Sequence, residues 1–572
     1  MKQPPASVEV GPGSEPTSVP GGPRVTPPSI PAVIFALLTL LVPIGLQIPV
    51  LNSDGDLARH LAHGRYMLEH GGLIRHDPFS FTRPGASFVG FEYGSQLLYT
   101  LAERIGGLPA VAVLAGVLIG AAYALLARLL LKLGVDPLLA YVTVAVAAVL
   151  GIGHWTARPH LFSYVAIVLL LELLERRPRA GIPLTAALFV LWANIHGGFL
   201  YGWILIGLYL AGSVAELLWG SDRGAWRERT RYYAGMLATA TLVTLINPYG
   251  LKLHRHLFGF FRKPFLADNT AEFASPNFHE PGGKLFLVAL LLCLGCLALS
   301  PRRPILPRLL VICAGMGLAL ISLRNIPLFG LTAVPLLALH FDDVWRRLPD
   351  PRGIRHRFAA TASRTSTWPW IGLVLILVVL LAGAHGKVGA RRLIADHFDP
   401  TIFPVAAVQH ARSERLQGRL FSEFTWGGYV GYAWPEQRIF IDGGTDFFGE
   451  DLFREYSRIK RLVPGWRGLL EKWHISLMLL NRQSSLAHEL ARDGRWGLWY
   501  CDSLAVVLKR PDQAHNMAPR SDPDSSEAQL DTCATPPRPG DDGTHSGPNR
   551  YTDQRESPRK AKPLQETSLH SE

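Results

Sequence analysis

From Ile30 to about residue 386 the chain alternates apolar runs with short polar connections; beyond that point, shorter apolar stretches follow strand and helix periods. The runs centre on residues 30–51, 108–131, 138–153, 161–174, 182–195, 199–219, 232–247, 285–300, 309–323, 325–341 and 370–386. At about 1.5 Å of rise per residue, roughly 20 residues cross the ~30 Å hydrocarbon core of a bilayer. The pattern predicts a polytopic α-helical membrane protein with about eleven transmembrane helices, several of them short and parted from a neighbour by one polar kink. The first run, IPAVIFALLTLLVPIGLQIPVL, is too long, and too far from a small-residue cleavage site, to be a removed signal peptide; it is expected to stay as an anchor. Between 387 and 511, FPVAAVQHARSERL, EDLFREYSRIKRLVPGWRGLLEKW and SSLAHELARDG read as helices. GRLFSEF, QRIFIDG, ISLMLLN and LWYCDSLAVVLKR read as strands, the last as a pair around a turn, so a C-terminal α/β domain is predicted. Residues 1–28 and 512–572 lack periodicity and are expected to be disordered.

Composition agrees with membrane embedding: of 572 residues, 48% are hydrophobic and only 18% charged. A net charge of +12 raises the question of nucleic acid, but the distribution of the cations answers it. Arg128 and Lys132, then Arg176, Arg177 and Arg179, then Arg223, Arg227, Arg229 and Arg231, then Arg302, Arg303 and Arg308, then Arg346, Arg347, Arg352, Arg355 and Arg357 fall in every second connection. This is the positive-inside pattern. It predicts a cytoplasmic N-terminus, an extracytoplasmic domain after residue 387, and no nucleic-acid partner. Of five cysteines, Cys293, Cys296 and Cys313 lie within apolar runs, so the CxxC spacing of Cys293 and Cys296 reads as core packing rather than a metal or redox site.

With this phase, ionisable groups gather on the outward connections: 52–107, HWTARPH with His160, ANIHGG with His196, the long segment 247–283, and LRN at 323–325. Polar groups at membrane depth are costly and persist where they line a site. In DLARHLAHGRYMLEHG, Leu57, Leu61 and Leu68 mark one helix face, and Asp56, His60 and His63 share another. One Asp and two His either hold a divalent cation, Mg or Mn being the expected ions, or supply a general base with its orienting partner. The alternative is an interfacial amphipathic helix with a solvated polar face. Asp54 and Asp56 form a DxD pair at the end of a span, where nothing structural obviously requires them. Asp77, before a proline, also fits loop punctuation, and Glu92 also fits a first-turn acid. Arg158 and Arg324 are single cations on the outward side. They either snorkel or, with Lys252, Arg255, Arg262 and Lys263, bind a phosphate or diphosphate headgroup.

These pieces resemble the GT-C class of integral-membrane glycosyltransferases, which includes oligosaccharyltransferase catalytic subunits, protein O-mannosyltransferases and bacterial lipid A aminoarabinose transferases. The resemblance rests on multiple spans, a first outward loop opening with DGD, and the external C-terminal domain, with DGDLARHLAHGRYMLEHG, HDPFSFT, ARPHLFSY, WANIHGG and INPYG most similar to bacterial members. SEFTWGGYVGY, which contains Trp426, and the following RIFIDGGT, which contains Asp442, resemble the oligosaccharyltransferase stretch in which WWDYG precedes an R, D and T pattern. The aspartate of WWDYG has no counterpart, because Trp426 is followed by Gly427 and Gly428. That departure tells against a peptide acceptor.

The resemblance implies a lipid-linked sugar donor on a polyprenyl phosphate, transfer outside the cytoplasm of a bacterial inner membrane, and an essential acid after the first span. That acid falls on Asp54 or Asp56, with Asp56 preferred. It also places a glutamate in a long outward loop, loosely matched by Glu272 in AEFASPNF. Asp442 and Asp446 either serve the acceptor or end a strand with a turn. The acceptor itself, whether glycan, lipid or protein, is left open. Two other classes fit a polytopic chain: a transporter or flippase, which would carry ionisable groups nearer the midplane, and a non-catalytic scaffold of envelope assembly.

Overall fold

The structure, a computed structural model, describes residues 26–53, 55–261, 265, 271–301, 303–362, 364–510 and 533. Asp54, Arg262 and Lys263, and nearly all of the two segments expected to be disordered, lie outside the described residues. Of those segments, Thr26 and Pro28 contact Ser366, and Cys533 forms a disulfide with Cys501.

Each apolar run lies largely in a helix. Among the described residues five helices are long and apolar enough to cross a membrane: Tyr93–Lys132, Pro137–His154, Phe199–Trp219, Pro281–Leu299 and Leu323–Arg347. Ile30–Gly45, Gly181–Ile195, Leu306–Ile321 and Trp368–Gly383 are shorter apolar helices. The first run is not one helix but two, Ile30–Gly45 and Gln47–Asn52. Pro49 has no N–H to give the Gly45 carbonyl, and its ring crowds that carbonyl, so the chain breaks between them.

Tyr93–Lys132 is the central element, packing against Ile30–Gly45, Asp56–His70, His160–Arg176 and Trp368–Gly383. It bends sharply at Gly106 and Gly107, where Gly107 adopts φ 67° and ψ −162°, a region essentially confined to glycine. The bend separates the end of the expected outward loop from the span that starts at Leu108.

His160–Arg176, 17 residues and about 26 Å long at 1.5 Å per residue, orders charge along the bundle. At its C-terminal end Glu172 pairs with Arg128 (3.0 Å), Lys132 (2.9 Å) and Arg176 (2.9 Å), and Glu175 pairs with Arg308 (2.6 Å). All four cations belong to the set expected in the cytoplasm. Arg158, just before its N-terminus, belongs to a different cluster described below.

The C-terminal part forms a mixed four-stranded sheet in the order Leu420–Ser422, Leu477–Asn481, Ala505–Lys509, Gly497–Cys501, with only the first pair parallel. Its central strands are apolar and buried at their first four positions, and polar only at Asn481 and Lys509, because both faces are covered. Leu477, Leu479, Ala505 and Val507 join the hydrophobic core of the membrane helices. The alternate residues Met478, Leu480, Val506 and Leu508 join a second core with the helices Thr445–Lys460, Trp466–Lys472 and Ser485–Arg492. The predicted strand QRIFIDG does not form; Ile439 makes only isolated parallel bridges, to Ser80 and to Leu420. One bridge docks the loop after Asp77 onto this part of the chain, with Phe81 N–H donating to the Ile439 carbonyl (3.1 Å) and Ile439 N–H to that of Phe79 (3.0 Å).

Candidate active site

Asp56 opens the helix Asp56–His70, where a first-turn carboxylate meets the positive end of the helix dipole. The solvated face of the alternative reading is absent: His60 and His63 are as buried as Leu57 and Leu61, at 2% and 5% against 3% and 0% exposure. The reason is that both histidines face Gln96 of the Tyr93–Lys132 helix and His63 packs on Phe79 and Phe88, while the short helix Gly427–Ala433 covers the side bearing Arg59 and Ala62. A Cβ on Gly443 would collide with Asp56 Oδ1, so the 442–446 segment lies directly on the carboxylate.

Asp56 Oδ2 is 3.0 Å from Arg158 Nη2, and Arg158 Nη1 is 2.5 Å from Glu272 Oε1. Asp56 Oδ1 faces Arg59 Nε at 3.6 Å, and Arg59 Nη2 reaches Glu92 Oε2 at 4.0 Å. Glu92 lies between His60 Nδ1 (3.8 Å) and His196 Nε2 (3.9 Å). The backbone of Gly198 donates to His196 Nδ1 (3.2 Å), which fixes that nitrogen as an acceptor and leaves the ring proton on Nε2, toward Glu92. Arg324 lies over the Phe273 ring (5.3 Å), close enough for its charge to act on Asp56, Glu92 and Glu272.

The carboxyls divide by environment. Burial pushes Glu92 up to about 7 in spite of Arg59, and Asp442 up to about 6. Burial likewise raises Asp56, opposed by Arg59. For Glu272 and Asp446 burial also works upward but is outweighed, by Arg158 and Arg324 in the first case and by His256 and Arg59 in the second, so both sit below the usual carboxylate range. A small cleft bounded by Arg59, Glu92, Asp442, Asp446, Phe88 and Phe447 opens beside this network. It holds carboxyls poised near neutrality next to fixed cations, an arrangement able to move a proton and to steady an anion.

The structure thus brings Asp56, His60, Glu92, Arg158, His196, Glu272 and Arg324 into one neighbourhood, with Asp442 across the cleft. Asp77 also lines the cleft but accepts from the Phe79 and Ser80 backbone (3.0 and 3.1 Å), bracing its own turn. His160 bonds to the His154 carbonyl (2.8 Å) and Trp426 to that of Ile402 (3.0 Å). Lys252 and Arg255 are exposed on the helix Leu251–Phe261, and no ion pair among the described residues ties either to the cluster. The trio Asp56, His60 and His63 is not assembled around a common point: His60 and His63 turn Nδ1 to Gln96 (3.3 and 3.5 Å), while Asp56 turns to arginines. Among the described residues no three His, Cys, Asp or Glu side chains are placed to hold a metal ion.

Sequence reasoning passed over Arg59 and His256. Arg59 is one of five arginines in the outward connection 52–107; its signal is that it follows Asp56 at i+3, on the same helix side. His256, whose Nε2 is 2.9 Å from Asp446 Oδ2, gives no such signal, since only the fold brings the 251–261 helix to the 445–460 helix.

No family model and no curated protein matches the chain. Among solved structures it is similar to the oligosaccharyltransferase AglB from Archaeoglobus fulgidus in complex with an inhibitory peptide and a dolichol-phosphate: TM-score 0.53, 12% identity, over 88% of this chain and 77% of that one. A second Archaeoglobus fulgidus oligosaccharyltransferase structure, in the apo form, gives TM-score 0.51 and 14% identity over 85% of this chain and 74% of that one. ArnT from Cupriavidus metallidurans bound to undecaprenyl phosphate gives TM-score 0.47 and 14% identity over 85% of this chain and 98% of that one. At these identities the likeness to the archaeal enzymes is one of fold: the chain has an architecture remotely similar to that of the GT-C glycosyltransferases.

Proposed function

We propose that the protein is a glycosyltransferase that moves a sugar from a polyprenyl-phosphate donor to an acceptor at the outer face of a bacterial inner membrane. The observation that carries this reading is the convergence of Asp56, Glu92, Arg59 and Arg158 in one place at the end of the helical bundle opposite the arginine-rich end. The fold likeness to an oligosaccharyltransferase whose structure contains a dolichol-phosphate supports it. In this reading residues 29–386 form the membrane module with a cytoplasmic N-terminus, and residues 387–511 lie outside the cytoplasm. The disulfide between Cys501 and Cys533 supports that sidedness, because such bonds persist in oxidising compartments.

The chemistry is a single displacement. The acceptor oxygen attacks the anomeric carbon, the bond from that carbon to the phosphate oxygen breaks, and the polyprenyl phosphate leaves with the bonding pair. Asp56, held by Arg158 and Arg59, orients the acceptor hydroxyl. A carboxylate takes its proton, and Glu92, poised at about 7, is suited to that transfer at neutral pH. Arg158, with Arg324 nearby, stabilises the charge that develops on the departing phosphate. The test is sugar transfer by the full chain in vesicles supplied with polyprenyl-phosphate-linked sugars. Loss of transfer in Asp56→Asn with intact folding is expected; full transfer by that variant would overturn the assignment.

A further inference from the structure

A second concavity, of about 700 Å³, is lined by residues within 412–419, Trp434, residues 436–438 and Phe81, none of which lines the first cleft. Its rim carries Arg412, Arg415, Arg419 and Arg438 against the single acid Glu436, over a floor that includes the buried Trp434. Arg412 is occupied with Glu436 (2.9 Å), and Arg419 bonds the Trp473 carbonyl (3.0 Å). Arg415 and Arg438 are exposed, and no ion pair among the described residues engages either. Two features show that the groove is built rather than incidental. Gln437, 8% exposed, donates from Nε2 to the carbonyls of Gly418 and Arg438, 2.8 Å each, which fixes the two arginine-bearing segments relative to one another. Arg415 has φ 49°, the left-handed conformation that a chain leaving a helix ordinarily gives to glycine, and here an arginine is held in it at the rim.

We propose that this groove binds an anionic saccharide, one bearing carboxylate or phosphate groups, and that the acceptor of the transfer is of this class. The second half of the proposal rests on the transferase reading. Guanidinium groups pair two-pronged with carboxylate or phosphate, and a prepositioned set loses little freedom on binding. The volume falls within the range of small-ligand sites. Arg438 is four residues from Asp442, at most about 14 Å of chain, so a saccharide in the groove lies within a few sugar units of the cleft.

The test is equilibrium binding of hexameric oligogalacturonate, neutral maltohexaose and inorganic phosphate to the detergent-solubilised full chain. The oligogalacturonate is expected to bind at least tenfold more tightly than maltohexaose and to weaken as salt is raised. The double variant Arg415→Gly, Arg438→Ala is expected to lose at least tenfold. Glycine suits the φ of Arg415, so the fold is kept at that position, and thermal unfolding of the variant checks it. Displacement of the hexamer by phosphate assigns the groove to phosphate-bearing saccharides, and its persistence to carboxylate-bearing ones. Equal binding of the neutral hexamer, or undiminished binding by the folded double variant, overturns the proposal. Charge-selective binding by a wild type that transfers no sugar would leave the groove standing and sink the transferase reading instead.

Discussion

A buried carboxylate beside an arginine is pulled two ways, and the outcome differs from residue to residue around this cleft. Burial wins at Glu92, raising it from 4.5 to about 7. The folded state then holds a proton that the unfolded state has released, so stability falls as pH rises between those values, by about 3 kcal/mol in total. Glu92→Gln removes the dependence: in thermal unfolding, its stability relative to wild type should improve by up to that amount between pH 5 and pH 8. The same substitution should abolish the acidic limb of kcat/KM near pH 7, which requires the ionised base. A limb that persists unchanged would move the proton transfer to another group. At Asp56 the prediction concerns charge: Asp56→Asn should lower transfer by 100-fold or more, while Arg158→Lys, which keeps the charge but not the fork, should lose less. Transfer assays in vesicles decide both. Asp56 and Arg158 were legible in the sequence as ionisable groups beside spans, and Glu272 only through the family resemblance, in a long outward loop. That Glu92 outranks His63 was not, because which groups are buried together depends on packing between elements far apart in the chain.

At the scale of elements, the helix Asp56–His70 is held by a three-way contact. Glu103 accepts from Arg65 at 3.1 and 2.6 Å and from the Tyr432 hydroxyl at 2.6 Å, and the Arg65 guanidinium lies 4.0 Å over the Tyr432 ring. The contact ties the 56–70 helix, the bent helix from Tyr93 and the Gly427–Ala433 helix together. Glu103→Gln leaves a partly buried arginine without its counter-charge and should cost about 2–3 kcal/mol, visible as a lower midpoint of thermal unfolding. A midpoint within a degree of wild type would show that the contact carries no stability. Apolar runs read correctly as helices because about 20 residues of one character outweigh local detail. The break before Pro49 is explained by proline chemistry already present in the sequence. The missing strand at QRIFIDG has no such local signal: its pairing is limited to single bridges of Ile439 with Ser80, from a distant loop, and with Leu420.

At the scale of the whole molecule, the two ends of the bundle differ in charge, and the proposed sidedness turns on that difference. A membrane-impermeant maleimide should label Ser413→Cys in intact spheroplasts but not Arg227→Cys; the reverse pattern would put the cleft on the wrong side. Denatured protein treated with a polyethylene-glycol maleimide should gain three adducts, at Cys293, Cys296 and Cys313, and five after reduction. Five without reduction would remove the oxidising-compartment argument. Periodicity predicts a membrane module followed by a C-terminal α/β domain; it does not predict that Leu477, Leu479, Ala505 and Val507 share a core with the helices, since strands buried on both faces look alike whatever covers them. The cleft draws on Arg59 and Glu92 from one part of the chain and on Asp442 and Asp446 from another, far along it. A ribosome must deliver 446 of the 572 residues before the opposing groups can meet, so in the proposed reading a nascent or prematurely terminated chain has no complete site, and no half-made copy could squander an activated lipid while it is still being threaded into the bilayer.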